Sequence, residues 1–225
     1  MAIAIGNTTW VNPVVNATSY SSNDHTQDSG TDAFLYVEVV VSGTWTVPSV
    51  TWDGVTMTLL DVNFVGAINL RQYRFYLSTP ATGTRTIQIN FSSNYTTSFA
   101  WYAQSFTGTS GIADHDWTGL AASPHVTNPT VGNNDVLIGS GMSLRSITNV
   151  NLDGIDYFAP SFTVYANVQA DQYVAQLSGL LTAGTNNVEI DAGAPSFLVT
   201  NAWVKFSESA EPSGSAEGSW WLLMK

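Results

Sequence analysis

The sequence contains no cysteine, which removes disulfide staples, thiol nucleophiles and thiolate metal sites from consideration. Basic residues are almost as scarce. Six of them stand against 17 acidic residues, for a net charge of −11. A nucleic-acid binder needs a basic stripe that displaces counterions from phosphate. Arg71, Arg74, Arg85, Arg145, Lys205 and Lys225 are too few and too scattered to form one, so no nucleic-acid partner is expected. No apolar run reaches the ~18 residues of a membrane span, so no membrane partner is expected either. Met1 to Trp10 has neither the basic n-region nor the apolar h-region of a secretory signal. The expectation is a chain made in its host's cytoplasm that leaves without a signal peptide. Charge of either sign is sparse, at 10% of residues against a usual share of roughly 25%. Ser, Thr, Asn, Gln and Gly must therefore cover the surface, as suits a protein packed among neighbours.

What is present is strand. Hydrophobic residues make up 44% of the chain, enough for a sizeable core. Phe34 to Val41 is β-branched and aromatic, and only Glu38 interrupts it. That pattern predicts a central strand buried on at least one side. Ser49–Trp52, Asp53-Gly54 and Val55–Leu60 read as a hairpin, because Asp-Gly tolerates the positive φ angles of a type I′ turn. Leu70–Leu77, Thr84–Phe91 and Ser98–Phe106 follow as strands. Asp135–Ser143, Ser161–Val168, Gln172–Leu181, Asn187–Ile190 and Phe197–Phe206 continue the series. Gly, Asn, Asp and Pro separate them, and no segment carries a capped helical stripe. The predicted fold is all-β: an antiparallel two-sheet sandwich of jelly-roll type over residues 1–206. A Ser/Glu/Gly/Ala linker occupies 207–219 and a hydrophobic tail 220–225.

Several pieces of this pattern resemble β-sandwich domains of bacteriophage virion proteins and secreted bacterial surface proteins. They are Val50-Thr51-Trp52-Asp53-Gly54-Val55-Thr56-Met57-Thr58-Leu59, Arg74-Phe75-Tyr76-Leu77 with Pro80 and Gly83, and Thr86-Ile87-Gln88-Ile89-Asn90-Phe91. Ser105-Phe106-Thr107-Gly108, Asp135-Val136-Leu137-Ile138 and Ala202-Trp203-Val204-Lys205-Phe206 extend the likeness over about residues 30–206. The resemblance implies a fold and a structural setting, and it carries no catalytic residues.

Candidate chemistry is thin. Gly139-Ser140-Gly141 and Gly108-Thr109-Ser110-Gly111 are not the strand-to-helix elbow of a hydrolase. His25, His115 and His125 stand in loop-like sequence. Asp24, Asp28 and Asp32 recur in one polar stretch and are candidate calcium ligands, since calcium takes clustered oxygens on a loop. The alternative is a solvated acidic loop, and no other cofactor is expected. Asp114-His115-Asp116 reads as an exposed loop. Glu38 is a lone carboxylate without a second at glycosidase spacing, so its face is expected to meet solvent or a subunit contact, with an arginine near. Trp45 and Trp117 lie in polar contexts and are the candidate sugar platforms. Trp220, Trp221, Leu222, Leu223 and Met224 form an apolar cluster on a polar leash, the candidate partner-binding anchor. Together these features predict a non-enzymatic virion structural protein, a capsid decoration on the virion surface. Its expected partners are further copies of itself and other virion proteins such as a major capsid protein. The alternative is a receptor- or carbohydrate-binding module of a phage fibre or bacterial surface protein.

Overall fold

In a computed structural model the protein is all-β, built from antiparallel sheets. The structure describes residues 2–209 except 44, 144–146, 148, 153–154, 158–161, 168–169, 181–182, 186 and 193–197. The first eleven strands are β1 (Ala4–Val11), β2 (Ala17–Ser22), β3 (Thr26–Gln27), β4 (Phe34–Ser42), β5 (Ser49–Trp52) and β6 (Val55–Thr56), then β7 (Thr58–Val65), β8 (Leu70–Ser78), β9 (Gly83–Thr84), β10 (Ile87–Tyr95) and β11 (Ala100–Thr107). The next eleven are β12 (Thr109–Ala122), β13 (His125–Thr127), β14 (Thr130–Val131), β15 (Val136–Ser143), β16 (Asn149–Leu152) and β17 (Ile155–Tyr157), then β18 (Phe162–Asn167), β19 (Ala170–Leu180), β20 (Gly184–Thr185), β21 (Val188–Asp191) and β22 (Leu198–Glu208).

The sheets reveal a repeat that the residues hide. Sheet I has the order β1-β11-β4-β8-β7, and sheet II the order β2-β10-β5-β6. Sheet III is β12-β22-β15-β19-β18, and sheet IV is β13-β21-β16-β17. Adding eleven to each label of sheets I and II gives sheets III and IV, and the small β3-β9 pair likewise becomes β14-β20. The stretch 1–206, read from sequence as one sandwich, therefore divides into two halves with the same strand order. Register aligns Leu35 with Leu137, Phe106 with Phe206, Ile89 with Ile190 and Trp10 with Trp117. Even the left-handed turn residues before β4 and β15 correspond, Asp32 at φ 51° and Asn134 at φ 64°.

Strand β4 explains the layering. Alternate residues of a strand face opposite ways, and here both faces are covered. Leu35, Val37, Val39 and Val41 meet Val50 and Trp52 of β5 and Ile87 and Ile89 of β10, closing sheet I on sheet II. Phe34 and Tyr36, on the other face, meet Val136, Ile138, Val204 and Phe206 of sheet III. That is why the FLYVEVVV run is apolar throughout. Sheets II, I, III and IV thus lie in successive layers, with a seam between the halves. In the seam Phe206 packs against Phe106 at 4.6 Å and receives Phe34 and Tyr36 edge-on. The hairpin turn after β5 matches its prediction, with Asp53 at φ 49° and Gly54 at 81°.

Candidate functional site

The chemistry-bearing side chains gather in and around the seam. Glu38 is buried there instead of meeting solvent, and the contact that it faces lies within the chain. Its Oε1 accepts from Gln72 Nε2 at 2.7 Å and its Oε2 from the Tyr36 hydroxyl at 3.0 Å. Gln72 also reaches Ser140 of the second half at 2.7 Å, and its own Oε1 accepts from Asn63 at 3.0 Å. Arg74 stands opposite Glu38 in register. Its Nε and one terminal nitrogen grip Asp61, while the other donates to the Trp203 carbonyl at 3.0 Å. Burial disfavours the Arg74 cation, but the Asp61 hydrogen bonds and the electrostatic pull of Tyr36, Asp61 and Glu38 together outweigh it and its pKa rises. Burial, then Glu38, pushes the Tyr36 phenol up as well, so it stays a donor. A buried charge is tolerated when paired and hydrogen-bonded, and this network meets that condition.

A cleft of about 450 Å³ opens at the rim of the seam, between β7 and β8 on one side and β12 on the other. Leu60, Tyr76 and Ile112 supply its apolar wall; Ser110, Asp114 and His115 supply the polar one. His115 Nε2 stands 3.6 Å from Asp61, beyond ordinary hydrogen-bond reach. Asp114 accepts the His115 backbone N–H at 2.9 Å, and the Ser110 hydroxyl donates to the Ser207 carbonyl at 3.2 Å. These groups can hydrogen-bond a polar ligand, but Ser110 is not aimed at a base.

Of the three histidines read as loop residues, His25 lies in the segment between β2 and β3 and the other two lie in strands. His115 and His125 are in β12 and β13. His25 is fully buried just before β3, with Nδ1 2.9 Å from the Thr9 hydroxyl, its ring edge-on to Trp52 and Nε2 unpartnered. Burial lowers its pKa to about 4, with Asp28 opposing. Asp114-His115-Asp116, also expected in a loop, is the exposed middle of the edge strand β12.

The candidate calcium ligands are not gathered. Asp24 accepts the Ser22 hydroxyl at 2.5 Å. Asp28 takes the Asn7 backbone and side-chain N–H groups at 2.9 and 2.8 Å and the Ser105 hydroxyl at 2.9 Å. Asp32 sits in the turn before β4. Strand β3 pairs with β9 between Asp24 and Asp28. Among the described residues no three His, Cys, Asp or Glu side chains converge as metal ligands. Trp45 donates to the Asn94 carbonyl at 3.1 Å and packs edge-on against Tyr95. Trp117 packs beside Val40 and Met142 at the seam. Both indoles are seated against core instead of forming open platforms. Trp220, Trp221, Leu222, Leu223 and Met224 lie outside the described residues.

One surface feature escaped the sequence reading. Of the seven large apolar residues exposed among those described, Val55, Leu59, Val62 and Phe64 lie together on β6 and β7. Leu59, Val62 and Phe64 pair with Phe75, Tyr73 and Arg71 of β8, on the sheet I face that looks toward sheet II. Sheet II ends there in the two-residue strand β6 and leaves them uncovered. The signal was legible only as TLLDVNFV, which alone does not distinguish a buried strand from an exposed one. No family model, curated protein or solved structure matches the chain.

Proposed function

We propose that the protein is a non-enzymatic structural subunit acting through contacts with other subunits, as a decoration on a bacteriophage capsid. The observation that carries this reading is the concentration of exposed apolar side chains on β6 and β7, since such a patch on a soluble protein marks an interaction surface. The buried charges support it from the other side, because Glu38 and Asp61 hold Gln72 and Arg74, which bond Ser140 and the Trp203 carbonyl of the second half. We further read each half as a jelly roll. Orders β1-β11-β4-β8 and β2-β10-β5-β6 suit two interleaved Greek keys, an architecture used in viral capsids and in lectins. In this reading the Trp220–Met224 tail anchors the subunit to a neighbouring protein such as the major capsid protein. Deleting residues 219–225 leaves melting temperature unchanged and abolishes co-sedimentation with purified particles. A truncated chain that still sediments overturns the anchor.

The cleft favours a second reading, a carbohydrate- or receptor-binding module. Its apolar wall beside Asp114 and His115 fits a neutral sugar with one apolar face. Saturable binding on a glycan array, lost in Tyr76→Ala, would select this reading over the first.

A further inference from the structure

We infer that β7 is the edge along which two copies of this chain pair, strand against strand, about a two-fold axis. The inference rests on the subunit reading above and names the partner. β7 is the last strand of sheet I, hydrogen-bonded only to β8, so its outer N–H and C=O groups form a template for another strand. Natural edges are usually guarded by lysine, proline, inward charge or a bulge. β7 contains no lysine or proline; its one inward charge, Asp61, is neutralised by Arg74 and precedes the stretch Val62 to Val65. Its bulge lies between Leu59 and Asp61, leaving Val62 to Val65 regular. The adjacent edge β12 differs. It exposes Asp114, His115 and Asp116, and like charges directly opposite each other oppose pairing.

The occupant follows from self-complementarity. Antiparallel pairing about an axis through Asn63 sets Val62 of each copy opposite Phe64 of the other, an aromatic–β-branched pair of the favoured kind. Both residues lie on one face and are exposed in the single chain. The net charge of −11 puts no acidic residue on this strip, because Asp61 is paired with Arg74 and the charge beside Phe64 is a cation, Arg71, whose guanidinium lies 4.1 Å from the Phe64 ring centroid. Pairing also continues the seam, because Asn63 and Val65 of the same strand already face inward there.

The test is light scattering coupled to gel filtration on the full chain. The wild type is expected at twice the 24.2 kDa chain mass. Val62→Lys, which restores an edge guard, is expected at the monomer mass with unchanged melting temperature, and Phe64→Ser is expected to match it. Val14→Lys, at a more exposed valine on another segment, is expected to stay dimeric. A wild type that remains monomeric at high micromolar concentration overturns the inference, as does a folded Val62→Lys that remains dimeric. Co-sedimentation with particles in the same samples separates the two claims. A monomer that sediments overturns pairing alone, whereas a dimer that does not sediment overturns the subunit reading alone.

Discussion

The two halves share one strand order and differ in what fills it. The first half spaces sheets I and II with Val37 and Val39; the corresponding positions in the second are Gly139 and Gly141. There a Cβ would stand 2.9 Å from Val188 at position 139, and 2.7 Å from Ile190 at position 141. Sheet IV therefore lies closer to sheet III than bulky residues would permit. The first half also contributes the charges of the seam. Glu38 and Arg74 correspond to Ser140 and Gln176. Beside β3 it carries His25 and Gln27, where the second half has Pro129 and Val131. One topology thus tolerates two core chemistries, provided that each is consistent with its own sheet spacing.

Breaking the seam should have the largest effect. Arg74→Ala leaves Asp61 and Glu38 without their buried cation, a loss of about 3–5 kcal/mol for removing one partner of a buried pair. Urea unfolding would measure it, and two transitions in place of one would show the halves uncoupling. A loss below about 1 kcal/mol would mean that the apolar contacts around Phe206 hold the seam unaided.

His25 offers a probe confined to the first half. Its folded pKa of about 4 lies below the ordinary 6.5, so the fold retains the neutral ring. Above pH 6.5 the residue is neutral in both states and contributes no pH dependence. As pH falls from 6.5 to 4 the unfolded chain takes up a proton that the folded one refuses, and about 3 kcal/mol is lost. Denaturation at pH 7 and pH 4, wild type against His25→Gln, isolates this share. Equal pH dependence in the two proteins would contradict it.

Gly141→Val places in the second half the residue that the first carries at Val39. It should cost about 1–3 kcal/mol by overpacking, because the Thr200 carbonyl oxygen, 2.9 Å from the added Cβ, is backbone. An unchanged melting temperature would mean that sheet IV moves away freely. The smallest effect belongs to Gly54→Val, where nothing lies within 4 Å of the added Cβ and only the φ of 81° resists. The penalty for left-handed backbone, about 1–2 kcal/mol, is expected in thermal melts.

The sequence made the central strands legible because their patterns are strong. β4, β8, β15, β19 and β22 fall within a few residues of their predicted spans. β1, β2 and β12 were not legible. Ala4–Val11 holds Gly6, Asn7, Thr8 and Thr9 in a row, and β12 holds Asp114, His115 and Asp116. Edge strands need little apolar character because only part of each is covered. The repeat was hidden for a related reason. The halves share register throughout but residue type only at scattered positions, as Trp101 opposite Val39 and Asn201 at its counterpart illustrate. Glu38 stood out in the sequence, but its partners Gln72, Arg74 and Ser140 are distant along the chain and adjacent only once the layers stack.

Gly108 joins the halves, and more than one segment meets there. A Cβ on it would lie 2.5 Å from the Ala2 carbonyl oxygen, and its own carbonyl accepts the Ser209 N–H at 2.9 Å. The start of the described chain, the joint between halves and the exit of the last strand thus share one corner, so the backbone is nearly a closed ring. A short peptide bridging Ser209 to Ala2 would close it, and the exposed Asp53-Gly54 turn offers a place to open it again, since circular permutation succeeds at such tips. Cargo fused at Ala2 or at Ser209 would leave from the same corner.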